Sequence, residues 1–170
     1  MLLRHAKTIP ATGRNDHERA LVERGRRDAA AIGAFVAQAG LIPDLVIFSG
    51  AARASETAAI VVKCWPREVA TRAEPGLYDA TRFAIHAIVR ALPDDAPSVM
   101  LVGHNPGVAD LANHLVGHGA KSDVQRMAGK FPTSGLAILE FDVDRWRDVA
   151  PGEARLTRFA TPDDLGVKSA

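Results

Sequence analysis

The sequence contains a single cysteine, Cys64, among its 170 residues. No disulfide can form within the chain, so a packed core must hold the fold together. A chain of this length can bury a core of sufficient size. The scarcity of cysteine also fits a protein that works in a reducing compartment.

An excess of charge of either sign is absent as well. The 21 basic residues nearly balance the 20 acidic ones, which leaves a formal net charge of +1. Such a chain has no overall field that would draw it to nucleic acid, so we expect no nucleic-acid partner. Any site for an anion must therefore be built locally.

Long apolar segments are also missing. No run of apolar residues approaches the roughly 20 that cross a bilayer. The N-terminus does not resemble a secretion signal, because Arg4, His5 and Lys7 follow only two leucines. We therefore expect a cytoplasmic protein with no membrane partner. The first apolar stretch is short, so either the natural start lies upstream or the first strand is brief.

Four segments have the apolar spacing of a helix with one buried face. Gly40 is typical of the end of the first helix, and Pro93 closes the third. Asn105 and Pro106 predict the start of the fourth, as its N-cap and its first-turn proline. The apolar positions run over residues 32–39, 54–61, 85–92 and 108–115.

Short continuous apolar runs lie between these helices, at residues 45–48 and 99–102. Such runs suit strands that are buried on both faces of a parallel sheet. Residues 136–141 and 155–159 predict an antiparallel pair of strands at the end of that sheet. The pattern indicates one domain over residues 1–170, an α/β protein with a three-layer α/β/α sandwich and a mostly parallel central sheet. We expect a loose tail after about residue 162.

Three stretches rich in arginine, histidine and glycine follow predicted strands. Arg4 and His5 follow the first strand, Ser49 to Arg53 follow the second, and Gly103 to Gly107 follow the run at 99–102. In open α/β sheets, ligands bind outside the carboxyl ends of the strands. We therefore expect two arginines and two histidines to meet at one edge of the sheet.

That set of side chains suits a phosphoryl group. Arginine presents planar donors that match phosphate oxygens, and a helix N-terminus adds backbone N–H groups with partial positive charge. His5 would attack phosphorus as a neutral imidazole, whose protonation the neighbouring cations disfavour. Phosphoryl transfer depends mainly on positioning and charge stabilisation, which fixed cations can supply without a metal.

These stretches resemble the histidine phosphatases, also called the phosphoglycerate mutase-like superfamily. Within that superfamily the sequence is most similar to the SixA-type phosphohistidine phosphatases. The similarity spans roughly residues 2 to 160, with the motifs in the family's order. It is carried by Leu2 to Lys7, Arg19 to Arg26, Ser49 to Ala58, Val102 to Gly107 and Pro132 to Gly135.

The resemblance implies a role for each matching residue. His5 would be the nucleophile that becomes phosphohistidine, and Arg4, Arg53 and His104 would hold the phosphoryl oxygens. Arg19 is a further candidate for binding the substrate. The resemblance also implies a phosphoglycerate mutase-like fold and a reaction with neither metal nor cofactor.

The general acid is the open question in this sequence. Many members of the family protonate the leaving oxygen with a carboxylate from the middle of the chain, and Glu74 is the candidate here. Asp16 and Glu18 are alternatives. The SixA-like branch often manages without such an acid, because a phosphohistidine leaves through a ring nitrogen that needs less help from a proton.

Other interpretations of the chain stay open at this point. The substrate is either a phosphorylated protein or a small phosphorylated molecule, so a small-molecule phosphomonoesterase or a sugar-phosphate mutase is an alternative. A non-catalytic module that binds phosphate or phosphoprotein is a further one. His114 and His118 have a zinc-compatible spacing, but no third ligand is evident, so we expect no metal site. The sequence does not predict an oligomeric state.

Overall fold

The computed structural model describes residues 1–11 and 15–167. These residues form one seven-stranded sheet with helices on both faces. The strands are Leu2–Arg4 (β1), Leu45–Phe48 (β2), Ala70–Ala73 (β3), Val99–Gly103 (β4), Val116–Gly119 (β5), Leu136–Glu140 (β6) and Ala154–Ala160 (β7).

The α-helices alternate with the strands over most of the chain. Short 3₁₀ helices at Asp16–Glu18, Pro75–Leu77 and Trp146–Asp148 lie in the connections. The α-helices are Glu23–Gln38 (α1), Ala52–Lys63 (α2), Arg82–Arg90 (α3), Gly107–Leu115 (α4) and Lys121–Gly129 (α5).

The strand order is β3-β2-β4-β1-β6-β7-β5. Strands β3, β2, β4 and β1 are mutually parallel, whereas β6 is antiparallel to β1 and to β7. The mostly parallel sheet and the antiparallel pair are as predicted. That pair does not end the sheet, however, because β5 adds a parallel edge strand beyond β7.

Side chains of the central strands alternate between two apolar cores, as the two-residue period of a strand requires. Leu45 and Ile47 of β2 face the core built with α3, α4 and Met127 of α5. Val46, between them, faces the core built with α1 and α2. The predicted three-layer α/β/α sandwich is therefore confirmed.

Three elements lack the apolar patterns on which the sequence prediction depended. All four residues of β3 are exposed at the sheet edge. Strand β5 contains two glycines and no fully buried residue, and α5 buries only Met127. Pairing with a neighbouring strand, rather than local hydrophobicity, places the two strands.

The predicted end of α1 is confirmed, whereas α4 begins one residue later than predicted, with Pro106 rather than Asn105 at the N-cap position. Gly40 has φ +69, the left-handed conformation that follows many helix ends. Helix α4 begins at Gly107 and has no side-chain cap. Asn105 Nδ2 instead donates to the carbonyl of Phe131 at 2.9 Å, and its Oδ1, the atom that would cap the helix, accepts no hydrogen bond from the described residues.

The end of the described chain is attached to the rest of the molecule. Asp164 accepts hydrogen bonds from Thr161 and from Arg126, and Leu165 packs against the core beside α1. The prediction of a loose tail therefore does not hold as far as Leu165, while residues 168–170 lie outside the described part of the chain. Within residues 1–11 and 15–167, no helix is long and apolar enough to cross a membrane.

Candidate active site

The carboxyl ends of β1, β4 and β2 lie side by side in the sheet. His5 follows β1, His104 follows β4, and Arg53 lies in the first turn of α2, just after β2. The centroids of the His5 and His104 rings are 5.1 Å apart, and the charges of Arg4 and Arg53 act on both rings. The structure thus brings together four side chains that the sequence singled out. We call Arg4, His5, Arg53 and His104 the cationic cup.

The imidazole of His5 has a defined orientation. Its Nδ1 lies 2.8 Å from the carbonyl oxygen of Ala6. A carbonyl oxygen only accepts hydrogen bonds, so Nδ1 carries the proton and Nε2 keeps its lone pair. The backbone N–H of His5 donates to the carbonyl of Gly103 at 2.9 Å, which ties the residue to the end of β4.

The protonation state of His5 is set by its surroundings. Burial lowers the pKa of His5 from 6.5 to about 3, and the positive charges of Arg53 and Arg4 act in the same direction. The residue is only 9% exposed. At neutral pH the ring is therefore uncharged, which is the state that a nucleophile requires.

His104 is held by a side chain rather than by the backbone. Its Nε2 lies 2.8 Å from the hydroxyl of the fully buried Ser49. Burial, followed by the charge of Arg53, lowers the pKa of His104 to about 4. A hydroxyl can donate or accept, so Ser49 can donate to Nε2 and leave a proton on Nδ1. Nδ1 has no hydrogen-bond partner among the described residues.

Arg4 is positioned by the segment Phe131 to Gly135, which precedes β6. Its Nη1 donates to the carbonyl of Phe131 at 2.9 Å. The backbone N–H of Arg4 donates to Gly135, and the N–H of Ser134 lies 3.2 Å from the carbonyls of both Arg4 and His5. This segment fixes the backbone on which the first arginine and the histidine stand.

Arg53 is 7% exposed and is held by Asp16. Its Nη1 donates to the backbone carbonyl of Asp16 at 2.6 Å, and its Nη2 donates to Asp16 Oδ2 at 2.9 Å. An arginine fixed by two bonds offers its remaining N–H groups in a defined direction. The first turn of α2 has no side-chain cap, so its amide groups add partial positive charge nearby.

Thr57 joins the nucleophile to the second arginine. Its hydroxyl accepts a hydrogen bond from the N–H of Ala6 at 3.0 Å and donates to the carbonyl of Arg53 at 2.6 Å. Thr57 is fully buried. Thr57 lies in a stretch that resembles the family, Ser49 to Ala58, but the resemblance implied no role for it.

Arg19 lies beside Asp16 rather than beside His5. It donates to Asp16 Oδ1 at 2.8 Å, to the hydroxyl of Thr8 at 2.7 Å and to the carbonyl of Ile9 at 3.0 Å. These contacts support the loop that holds Arg53. A role of Arg19 in binding substrate stays a prediction.

The structure makes Asp16 unsuited to the acid role considered for it. Hydrogen bonds from Arg19, Tyr78 and Arg53 hold the pKa of the Asp16 carboxyl well below its usual range. A carboxylate that stays ionised cannot donate a proton at neutral pH. Glu18, the other alternative from this loop, is exposed.

Glu74 lies at the carboxyl end of β3, one strand farther out than the cup. Its carboxylate accepts a hydrogen bond from the N–H of Gly76 at 3.4 Å and lies 4.0 Å from Arg72. Among the described residues, no hydrogen bond or ion pair joins Glu74 to the cup. Its role as general acid stays a prediction.

Tyr78 is a member of the site that the sequence analysis passed over. Its ring meets the ring of His104 edge-on, with centroids 5.6 Å apart. Its hydroxyl donates to Asp16 Oδ2 at 2.9 Å, so one aromatic residue connects the Asp16 loop to His104. A single tyrosine forms no recognisable motif, so only its position four residues after the candidate acid Glu74 could have marked it as a site residue.

The two histidines with zinc-compatible spacing lie elsewhere. The ring of His114 packs edge-on against Phe83 and His86, and His118 is exposed on β5. Within the described part of the chain, no three histidine, cysteine or carboxylate side chains are placed to hold a metal ion.

Known proteins resemble this chain in sequence and in structure. The model of the histidine phosphatase superfamily (branch 1) matches residues 1–81. An uncharacterised protein of Mycobacterium tuberculosis, Rv1276c, is 35% identical over 162 residues, which cover 94% of this chain and 99% of that protein.

Two solved structures share the whole architecture. A protein of Agrobacterium tumefaciens assigned as the phosphohistidine phosphatase SixA is 30% identical, with a TM-score of 0.80 over 95% of this chain and 96% of that one. A counterpart from Nakamurella multipartitia is 28% identical, also with a TM-score of 0.80, over 95% of both chains. From these matches along nearly its full length, the chain belongs to the histidine phosphatase superfamily and is a phosphatase.

Proposed function

We propose that the protein hydrolyses phosphohistidine on a partner protein, through a covalent phosphohistidine formed on His5. The observation that carries this proposal is the state of His5. Its Nδ1 is engaged with a carbonyl, and its pKa is lowered to about 3 by burial, with cations nearby. A neutral imidazole with a free Nε2 in a cationic cup is what phosphoryl transfer to histidine requires.

The reaction proceeds in two displacements at phosphorus. Nε2 of His5 forms a bond to phosphorus while the bond to the leaving group breaks, and the electron pair of that bond goes with the leaving group. Water then attacks phosphorus, and the electron pair of the P–N bond returns to Nε2. One proton of water goes to another phosphate oxygen, and the other stays on the oxygen that attacked. Arg4, Arg53 and His104 hold the phosphoryl oxygens in both steps and stabilise their charge.

The substrate class is supported by the structural relatives, which are assigned as phosphohistidine phosphatases. Among the described residues, the carboxylate bonded to the cup is Asp16, which stays ionised and cannot donate a proton. This also favours a phosphoramidate, because a phosphoramidate needs less protonation on leaving than an alkoxide does. We place this activity in the cytoplasm, where a chain with one cysteine, Cys64, stays reduced.

Trapping the intermediate tests the proposal. The protein is mixed with a phosphohistidine-containing phosphocarrier protein labelled with ³²P and quenched in alkali, in which phosphohistidine survives. The label should move to this chain, and mass spectrometry should locate it on His5. Release of phosphate with label on another residue, or no release from phosphohistidine, would overturn the proposal.

A further inference from the structure

A second concavity opens directly beside the cationic cup. This side cavity has a volume of about 380 Å³ and is lined by Asp79 to Phe83, by His104 to Gly107 and by Asp110. His104 belongs to both the cup and the cavity wall. A phosphoryl group held in the cup would therefore have the rest of its substrate next to this space.

The walls of the side cavity are brought together by a close backbone contact. Gly107, the first residue of α4, lies against the carbonyl of Ala80, where a Cβ atom would be only 2.0 Å from that oxygen. The neighbouring Asp79 has φ +50, a conformation that few residues except glycine, asparagine and aspartate adopt readily. Asp79 lines the cavity and directly follows Tyr78, whose ring contacts His104.

The charge of the side cavity is opposite to that of the cup. Asp79 and Asp110 contribute two exposed carboxylates, against the single guanidinium of Arg82. Neither carboxylate has a hydrogen-bond or ion-pair partner among the described residues. The negative charge of Asp79 also acts on the cup, because it raises the pKa of His104, whereas burial lowers that pKa.

An aromatic surface completes the cavity. Phe83 is 64% exposed, and the guanidinium of Arg82 lies 4.7 Å from the centre of its ring. An exposed aromatic face can stack against a planar ring. A planar leaving group that carries an N–H or a positive charge would satisfy both features, whereas an anionic one would be repelled.

We infer that the side cavity is the leaving-group subsite, and that Asp79 selects nitrogen bases by accepting a hydrogen bond from their N–H. This inference rests on the proposed function and adds the part of the substrate that determines specificity. The reacting form of a phosphorylated imidazole is the one protonated on its other ring nitrogen, and a hydrogen bond from that N–H to Asp79 favours this form. The P–N bond breaks as the bond from His5 Nε2 forms, and its electron pair goes to the departing nitrogen. The proton stays on the other nitrogen, so the imidazole leaves neutral and no acid is needed at the departing atom.

A pair of small phosphoesters tests the charge preference without a protein substrate. Phosphoethanolamine and phosphoglycolate have leaving groups of similar size, one with an ammonium and the other with a carboxylate. We expect phosphoethanolamine to be preferred, with the higher kcat/KM. Because an alkoxide leaves slowly without a general acid, the same preference is also measured as the lower Ki for competitive inhibition of p-nitrophenyl phosphate hydrolysis. Asp79→Asn keeps a side chain that tolerates the positive φ while removing the charge, and it should lower the phosphoethanolamine-to-phosphoglycolate ratio of kcat/KM about 10-fold.

Opposite and neutral controls make the result decisive. Arg82→Gln leaves the cavity more negative and should raise the same ratio, whereas Asp142→Asn, at an exposed carboxylate after β6, should leave it unchanged. Asp79→Asn should also lower kcat/KM for a phosphohistidine peptide more than for p-nitrophenyl phosphate. A ratio that does not respond to Asp79→Asn, or that moves in the same direction in both cavity variants, would overturn the inference.

The outcomes also separate this inference from the proposed function. If the wild type hydrolyses both esters with the expected preference but not the phosphohistidine peptide, the proposed substrate is wrong and the subsite stands. If it hydrolyses the peptide and the ester ratio is insensitive to charge, the subsite is wrong and the proposed function stands.

Discussion

The cationic cup and the side cavity share His104 but are built in different ways. In the cup, each side chain has a fixed partner: His5 the carbonyl of Ala6, His104 the hydroxyl of Ser49, Arg4 the carbonyl of Phe131 and Arg53 the loop at Asp16. In the cavity, the carboxylates of Asp79 and Asp110 are exposed. The cup is therefore preorganised for one chemical step, whereas the cavity can adapt to what the phosphoryl group is attached to. We expect changes in the cup to affect every substrate, and changes in the cavity to affect the choice among them.

The largest effect should come from replacing the nucleophile. His5→Asn keeps a donor near the carbonyl of Ala6 but removes the attacking nitrogen. We expect kcat to fall by at least about 10³-fold for every substrate, because no other described group in the cup is a free neutral imidazole placed like His5. Steady-state release of phosphate from p-nitrophenyl phosphate and from a phosphohistidine peptide measures this.

His118→Asn is the matched control for the nucleophile. His118 is exposed on β5, so this variant should retain wild-type kcat. If His5→Asn retained turnover on either substrate with an unchanged circular dichroism spectrum, His5 would not be the nucleophile.

The second largest effect should come from the arginine that follows β2. Arg53→Ala removes charge that acts on both histidines of the cup. We expect kcat/KM to fall about 10²-fold on esters and phosphoramidates alike, as for other groups that stabilise developing charge. A loss restricted to one substrate class would place Arg53 in the specificity region instead.

Arg67→Ala provides the comparison for Arg53. Arg67 is an exposed arginine that donates to the carbonyls of Ile42 and Pro43, outside the cup. Its replacement should leave kcat/KM within about twofold of the wild type, as for most surface substitutions.

The cup could be predicted from the sequence for a physical reason. Its residues lie within a few positions of buried strands, and parallel strands end at a common edge, so Arg4, His5 and His104 converge once the sheet is recognised. Their residue types are also characteristic of phosphate chemistry. The buried apolar runs of β2 and β4 predict the sheet, and the order of its strand ends predicts that the residues of the cup meet.

The side cavity could not be predicted in the same way. It forms where the turn at Asp79 packs against the start of α4, a contact between segments with no distinctive composition. The hydrogen bonds from Arg53 to Asp16 likewise join residues 37 positions apart in sequence, with α1 and β2 between them. Edge elements such as β3 and β5 escaped prediction because their strand pairing, rather than their hydrophobicity, defines them.

A third prediction concerns the stability of the cup against acid. The pKa of His5 is lowered from 6.5 to about 3, so the folded state stays unprotonated while the unfolded state binds a proton as pH falls below 6.5. Stability is therefore fully present above pH 6.5 and declines as the pH falls towards about 3. At pH 5 the loss of unfolding free energy due to His5 is about 2 kcal/mol, and His104 adds a similar loss.

Urea unfolding at pH 8 and pH 5 measures this linkage. In His5→Asn, the loss of unfolding free energy between the two pH values should be smaller than in the wild type by about 2 kcal/mol, or about 30-fold in the folding equilibrium. His118→Asn should show the wild-type loss, because His118 lies on the edge strand β5, outside the cup. Equal losses in His5→Asn and the wild type would show that the folded protein does not keep His5 neutral.

The smallest effect should arise at Asp16, which connects the two regions. Its Oδ2 accepts hydrogen bonds from Arg53 of the cup and from Tyr78, the residue before Asp79. Asp16→Asn keeps the backbone carbonyl that binds Arg53 but removes the charge, so Arg53 should lose part of its orientation. We expect kcat to fall about 10-fold on all substrates, since charge-assisted hydrogen bonds are roughly twice as strong as neutral ones. Tyr78→Phe, which deletes only the bond on the cavity side, should reduce kcat less than Asp16→Asn does. If kcat instead rose in Asp16→Asn, the carboxylate would be competing with the phosphoryl group for Arg53 rather than orienting it, and the cup would not be preorganised at that arginine.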